Sequence, residues 1–302
     1  FATGGSRAIR DSHTYLRKAG ATGREMLKAA AAQSWGVPVG ELKTEKGFVV
    51  HAASNRRASY GSLAEAAAKM TPPAEVKFKP DAEWTIAGKS PPRFDVPEKV
   101  DGSAIYGMDV KVSGMVHAAI KQAPVFGAKV ATVDEAKVKA MPGVLAVVTL
   151  PGEGAVAVVA ERYWQAKTAA DALPITWNEG ENGKVQQATI LDRLKQGLAE
   201  PGAKVRHDGD FDGAFAKAAK KVEAEYFAPF LDHACMEPMN CTASVKADSV
   251  EIWVPTQNIE GSLAAAAEAA GVAPEKVTAN LTLLGGGFGR RGRQDYVTQA
   301  VQ

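Results

Sequence analysis

Six of the chain's sixteen prolines, at positions 72, 73, 80, 91, 92 and 97, fall in one short stretch. Each proline fixes φ and removes an amide donor, so neither a helix interior nor a central strand can run through that stretch. No single core can cross it. Residues 72–98 are therefore expected to be an extended linker lying across a surface, separating a first unit, 1–71, from the remainder. In that first unit Leu16, Ala19, Met26, Leu27, Ala30 and Ala31 keep helical spacing from Ser12 to Trp35, and Gly36-Val37-Pro38 ends the pattern. A strand is expected at Phe48-Val49-Val50, then a turn at Ser54-Asn55. A helix follows, opened by Ser62 with Glu65 at capping-box spacing and ending near Met70.

Beyond the linker, strand and helix patterns alternate over 99–178, which predicts a compact α/β domain. The expected strands are Met115–Ile120, Val144–Leu150, Val156–Ala160 and Ile175–Trp177; the expected helices lie around Val133–Ala140 and over Tyr163–Leu173. Residues 179–302 form a further unit. It has helices near Ile190–Leu198 and Gly213–Lys221 and strands at Val222–Tyr226, Ala243–Val245, Val250–Val254 and Val277–Leu284. A third helix follows Ser262 and stops at Gly271. The helix stop at Trp35-Gly36-Val37-Pro38 is echoed at Ala270-Gly271-Val272, which suggests two related subdomains, although helix-stop chemistry alone produces the same likeness.

At 302 residues the chain is long enough for two or three domains, and 46% hydrophobic with 23% charged residues is ordinary globular composition. Thirty-six Lys and Arg against 34 Asp and Glu leave a net charge of +2, too small a field to argue for nucleic acid. Small molecules or protein partners are the expectation. No apolar run approaches the roughly 20 residues that span a bilayer, so no transmembrane segment is expected. Cys235 and Cys241 are the only cysteines, too few for an iron–sulfur cluster or a structural zinc site. The chain opens at Phe1 without Met and closes within a running helical pattern, so an internal stretch of a longer polypeptide is expected.

Three short stretches carry chemistry. Gly285-Gly286-Gly287-Phe288-Gly289-Arg290-Arg291 follows a strand whose Val277, Ala279, Leu281 and Leu283 alternate, and it precedes a helical pattern. Backbone amides without Cβ atoms can approach a ligand closely, and a helix N-terminus would add partial positive charge. A dinucleotide fingerprint fails because Arg290 stands where the third glycine belongs, and no Lys-Ser or Lys-Thr follows as in a P-loop. A plain tight turn is the bland alternative. Phe230 to Ala243 packs His233, Met236, Glu237 and Met239 together. His233 and the methionines read most simply as core residues, whereas a carboxylate between Met236 and Pro238 needs a specific partner. Thr256-Gln257-Asn258 follows the strand ending at Val254, the position where α/β folds place ligands, with helix capping by Asn258 or Ser262 as the alternative.

Taken together, Met236-Glu237-Pro238, Pro255-Thr256-Gln257-Asn258 and the Gly285–Arg291 loop resemble the molybdopterin-binding subunits of the xanthine dehydrogenase family in order and spacing. Thr3-Gly4-Gly5-Ser6 with Arg10-Asp11-Ser12, Met236 to Thr242, and Gln294-Asp295-Tyr296 after the glycine loop resemble its isoquinoline 1-oxidoreductase and aldehyde-oxidising branch. The resemblance runs over essentially the whole chain. It implies an α+β fold in which parts of the molybdopterin-binding domains, 1–71 and 179–302, flank an inserted α/β hammerhead domain at 99–178.

That resemblance also implies a molybdenum hydroxylase acting on an N-heterocycle such as isoquinoline or on an aldehyde. The metal would be held by the dithiolene of a molybdopterin cofactor and by no protein side chain. Gln257 and the Phe288-Gly289 backbone would face the metal's oxygen ligands. Gly285, Gly286 and Gly287 would give the cofactor room beside Arg290, and Thr3, Gly4, Gly5 and Ser6 would form a further pterin-facing loop. Gln257 and Glu237 are the catalytic candidates here. The family's glutamate base and its Gly-Gln-Gly loop have no match in this chain, and Gly292 stands where xanthine-oxidising members carry a glutamate, which argues against purines. An iron–sulfur alpha subunit with 2Fe–2S clusters is the implied partner and a cytochrome the implied onward acceptor. The implied compartment is the periplasm, with the cytoplasm as the default otherwise. The competing readings are a non-catalytic nucleotide- or anion-binding module using the Gly285 loop, and an RNA-binding protein using Arg290, Arg291 and Arg293.

Overall fold

The structure, a computed structural model, describes residues 2–152 and 154–302; Phe1, the first residue of the opening stretch, lies outside them. Two compact units emerge, one reaching to Ala104 and including Gln257–Glu260, the other comprising Ile105–Thr256 and Gly261–Gln302.

In the first unit, α1 (Arg7–Arg10) leads into α2 (Ser12–Trp35). Gly36, at φ 66°, turns the chain out of α2, and the amides of Gly36 and Val37 both donate to the Ala32 carbonyl at 2.9 and 3.2 Å. An antiparallel meander follows, β1 (Leu42–Glu45), β2 (Phe48–His51) and β3 (Arg56–Ser59). Only β2 is legible from composition, because β1 and β3 are largely polar and exist through backbone pairing to it. The next helix, α3 (Tyr60–Ala68), starts earlier than expected. Ser59 is its cap, accepting the Ser62 amide at 3.1 Å, while the Ser62 hydroxyl donates to the Ser59 carbonyl at 2.8 Å. Ala31, Leu42, Val49 and Leu63 form the core between α2, the meander and α3. The proline-rich stretch holds a short 3₁₀ turn at Asp81–Glu83 and then α4 (Val96–Asp101), which begins inside the expected linker because Pro97 suits a helix's first turn.

The second unit opens with β4 (His117–Gln122), β5 (Lys129–Val133), the single turn α5 (Ala136–Lys139), β6 (Val144–Thr149), β7 (Ala155–Ala160), α6 (Tyr163–Ala172) and β8 (Ile175–Asn178). Although strands and helices alternate in sequence, every pairing here is antiparallel: β4-β7-β6 in one sheet and β5-β8 in another. Sequence order therefore misleads about topology. β7 is the central strand, and Val156 and Val158 pack with Ala166, Ala169, Ala170 and Leu173 of α6 and its exit.

Next come α7 (Gln187–Leu198) and α8 (Phe211–Lys217). The expected strand at Val222–Tyr226 is absent: residues 218–241 hold no helix or strand, and Val222 and Tyr226 are exposed. An alternating pattern forms a strand only where an edge accepts it, and among the described residues no sheet pairs with this segment. The unit closes with β9 (Thr242–Val245), β10 (Val250–Val254), α9 (Ile259–Ala270), β11 (Val277–Leu281) and α10 (Asp295–Val301). β10 runs antiparallel to β9 and parallel to β11. The two helix stops do resemble each other, with Gly36 and Gly271 at φ 66° and 68° and a 3₁₀ turn before each strand. Their sheets differ, β1 being antiparallel to its neighbour and β11 parallel, so the likeness is one of helix-stop chemistry.

Candidate functional site

Because β10 and β11 are parallel, their carboxyl ends deliver Pro255-Thr256 and the Gly285 loop to the same side of the sheet. The loop is unusual backbone: Gly286 has φ 99°, Phe288 51° and Gly289 94°. A Cβ on Gly285 would meet the Glu237 Cβ at 2.4 Å, so that glycine is required by Glu237 packing against it. Gly286 is required by its φ. The expected helix N-terminus is not at the loop. A 3₁₀ turn at Arg290–Gly292 intervenes and α10 begins only at Asp295, so the loop's binding capacity rests on its own amides.

Glu237, expected to need a specific partner, has several. Its Oε2 accepts the Gly285 amide at 2.8 Å and forms an ion pair with the Arg291 guanidinium at 3.1 Å; its Oε1 accepts the Met108 amide at 3.2 Å and Asn240 Nδ2 at 3.0 Å. The Glu237 amide donates back to the Gly285 carbonyl at 3.0 Å. Arg291, fully buried, also donates to the carbonyls of Gly286, Pro255, Glu237 and Pro238. The Thr256 hydroxyl donates to the Arg291 carbonyl at 3.1 Å and accepts from Ser262 Oγ at 3.0 Å, so Ser262 holds a buried hydroxyl chain. Tyr296 Oη donates to the Pro255 carbonyl at 3.2 Å, and burial raises its phenol.

Two further residues behave differently from their sequence reading. Arg290 forms a bidentate pair with Asp295, at 2.8 and 2.6 Å, which raises its guanidinium pKa. His233 is half-exposed and Met236 is 93% exposed, so neither is a core residue. With Arg290 and Arg291 both engaged internally, only Arg293 of the basic cluster is exposed, and the RNA-binding reading loses its basis.

In the first unit Gln257 meets Thr3. The Thr3 amide donates to the Gln257 carbonyl and Gln257 Nε2 to the Thr3 carbonyl, both at 2.8 Å, next to an antiparallel bridge between Ala2 and Asn258. Gly5 and Ser6 follow in the left-handed region at 57° and 56°. Sequence reading missed Arg291 as a structural residue, and also Asn240 and Met108. Two adjacent arginines look alike until one of them is buried.

Among the described residues no group of His, Cys, Asp and Glu could hold a metal directly. Also among them, the amides of Gly286, Gly287 and Phe288 donate to no acceptor, and a Cβ on Gly289 would meet nothing within 4 Å. A row of backbone donors with open space beside it fits an oxygen-rich cofactor better than a bare metal ion. Fold and loop together thus define an α+β cofactor-binding protein.

Comparison with known proteins makes this specific. The family described as molybdopterin cofactor-binding domain matches residues 194–302. Isoquinoline 1-oxidoreductase subunit beta of Brevundimonas diminuta is 32% identical over 96% of this chain and 42% of that protein. A membrane-bound aldehyde dehydrogenase of Gluconacetobacter polyoxogenes, whose name carries pyrroloquinoline-quinone, is 30% identical over 99% of this chain and 40% of that protein. The aldehyde oxidoreductase structure from Desulfovibrio gigas superposes with a TM-score of 0.51 at 21% identity, covering 80% of this chain and 32% of that one, a likeness of fold. The chain belongs to the molybdopterin-binding subunits of the xanthine dehydrogenase family, on its isoquinoline 1-oxidoreductase side. It spans about two fifths of the length of these two curated relatives.

Proposed function

We propose that the complete protein is a molybdenum-dependent oxidoreductase that oxidises an N-heterocycle of the isoquinoline type or an aldehyde. The observation that carries this is the Gly285–Arg291 loop, which lies within the molybdopterin-binding match and keeps three consecutive amides free of chain acceptors among the described residues. When bound, the cofactor supplies a redox-active metal that no side chain of this chain needs to ligate.

The chain's own residues bind and orient. The amides of Gly286 to Phe288 would donate hydrogen bonds to cofactor oxygens. In the first unit the Gln257 side-chain amide ties down the Thr3 to Ser6 loop, which the family resemblance assigns to the pterin. Glu237 has its oxygens occupied by three donors and an ion pair, so we assign it to holding the loop and not to proton transfer. Residues 99–178 form the family's hammerhead insertion. With two cysteines the chain holds no cluster of its own, so electrons leave through a separate iron–sulfur subunit carrying 2Fe–2S clusters and then a cytochrome.

The full-length protein, expressed with its partner subunit, tests this by metal and quinone analysis and by dye reduction with isoquinoline, benzaldehyde and xanthine. Near one molybdenum per chain, no pyrroloquinoline quinone, and turnover of either of the first two substrates are expected. Bound quinone without molybdenum, or xanthine as the preferred substrate, would sink the reading.

A further inference from the structure

The three motifs recognised in the sequence are fastened by one side chain. Arg291 is the largest fully buried side chain among the described residues, and its donors divide among the three motifs. Nε donates to the Gly286 carbonyl at 2.8 Å, Nη1 to the Pro255 carbonyl at 3.4 Å, and Nη2 to the Glu237 carbonyl at 2.7 Å. The Glu237 carboxylate, 3.1 Å from Nη2, balances the charge. A buried guanidinium without such partners would be strongly unfavourable, so the residues that satisfy it are also held by it.

This arrangement orients the loop. The Gly285 carbonyl is drawn to the Glu237 amide and the Gly286 carbonyl to Arg291 Nε. All described peptide bonds are trans, and in a trans peptide the carbonyl and the next residue's N–H point in opposite directions. Anchoring these two carbonyls therefore turns the amides of Gly286 and Gly287 away from the Glu237–Arg291 pair. Gly286, at φ 99°, a conformation that a Cβ would strain, permits the two successive planes to do so.

We infer that Arg291 and Glu237 are positioning residues that hold the Gly286 and Gly287 amides ready for the oxygen atoms of the cofactor. This rests on the proposed molybdenum function. Lysine does not replace Arg291, because the pair needs a planar fork reaching three segments and an ammonium offers a single point of attachment. Arg290, paired with Asp295, has no such role in the loop's orientation.

The test compares wild type, Arg291→Lys, Glu237→Gln and the exposed control Arg293→Lys as full-length protein with its partner subunit. Molybdenum per chain, melting temperature and hydrogen exchange of residues 285–288 are measured. Expected are native circular dichroism, a molybdenum content reduced roughly 10- to 100-fold and faster loop exchange in Arg291→Lys, with Glu237→Gln in the same direction and the control unchanged. If Arg291→Lys does not fold, Glu237→Gln carries the same expectation. Lowered melting with full molybdenum content in the folded fraction would overturn the positioning role. Wild type without molybdenum would overturn the functional reading instead, and unchanged loop exchange in Arg291→Lys would then overturn the clamp as well.

Discussion

Thr3 and Gln257, 254 residues apart, are joined by a backbone and a side-chain hydrogen bond, each 2.8 Å. Two stretches that the family resemblance singles out separately thus share one place, and the Gln257 side chain is held by a backbone carbonyl. Its amide has a defined orientation before any ligand arrives. Preorganised donors of this kind act on charge that develops during a reaction, because they need not reorganise at that moment.

Replacing Gln257 with Ala is therefore expected to lower turnover by roughly 10²- to 10³-fold in the full-length enzyme while leaving molybdenum content near normal. The Ala2–Asn258 bridge and the Thr3 amide bond involve backbone alone, so the fold survives. Full activity in Gln257→Ala, or a matching loss of cofactor, would show that the side chain is not a donor in the reaction.

Two glycines of the loop should fail for different reasons. Gly286→Val places a β-branched residue at φ 99°, which distorts the turn and should empty the protein of cofactor. In Gly285→Ala the new methyl would collide with the Glu237 Cβ, pushing the carboxylate off the Gly285 amide. Molybdenum content and melting temperature of both variants check this. Full loading of Gly286→Val would mean that the turn is not the binding element.

How much of this was legible beforehand follows physical lines. Long periodic elements such as Ser12–Trp35 could be read directly, because a helical stripe and a glycine stop are both local. The polar strands Leu42–Glu45 and Arg56–Ser59 could not, since their pairing depends on Phe48–His51 between them. The alternation at Val222–Tyr226 promised a strand that nothing pairs with among the described residues. Within the site, Glu237 announced itself through its apolar neighbours. Arg291 did not, because its role is set by burial, and burial is decided by residues more than 30 positions away.

The cap of the third helix offers a smaller check. Ser59, and not Ser62, accepts the orphan amide at the start of Tyr60–Ala68. Ser59→Ala should cost about 1 kcal/mol of stability by denaturant titration. A change indistinguishable from zero would mean that solvent satisfies that amide equally well.

Cys241 predicts how the protein responds to alkali. Burial pushes its thiol from the ordinary 9.0 up to about 12, and burial also raises Tyr296. In the unfolded chain the thiol loses its proton near its ordinary value, whereas in the folded chain it keeps it. Between pH 9 and 12 the unfolded state therefore binds fewer protons than the folded state, and stability falls as pH rises through that window. Below pH 9 this group adds no slope. Cys241→Ala should flatten the alkaline limb of a plot of melting temperature against pH, apart from a uniform decrease for the lost packing. Thiol alkylation at pH 8 should modify Cys241 far more slowly in the native protein than after denaturant is added. An unchanged alkaline limb in Cys241→Ala, or rapid labelling of Cys241 in the native protein, would show that the thiol is not buried in its protonated form.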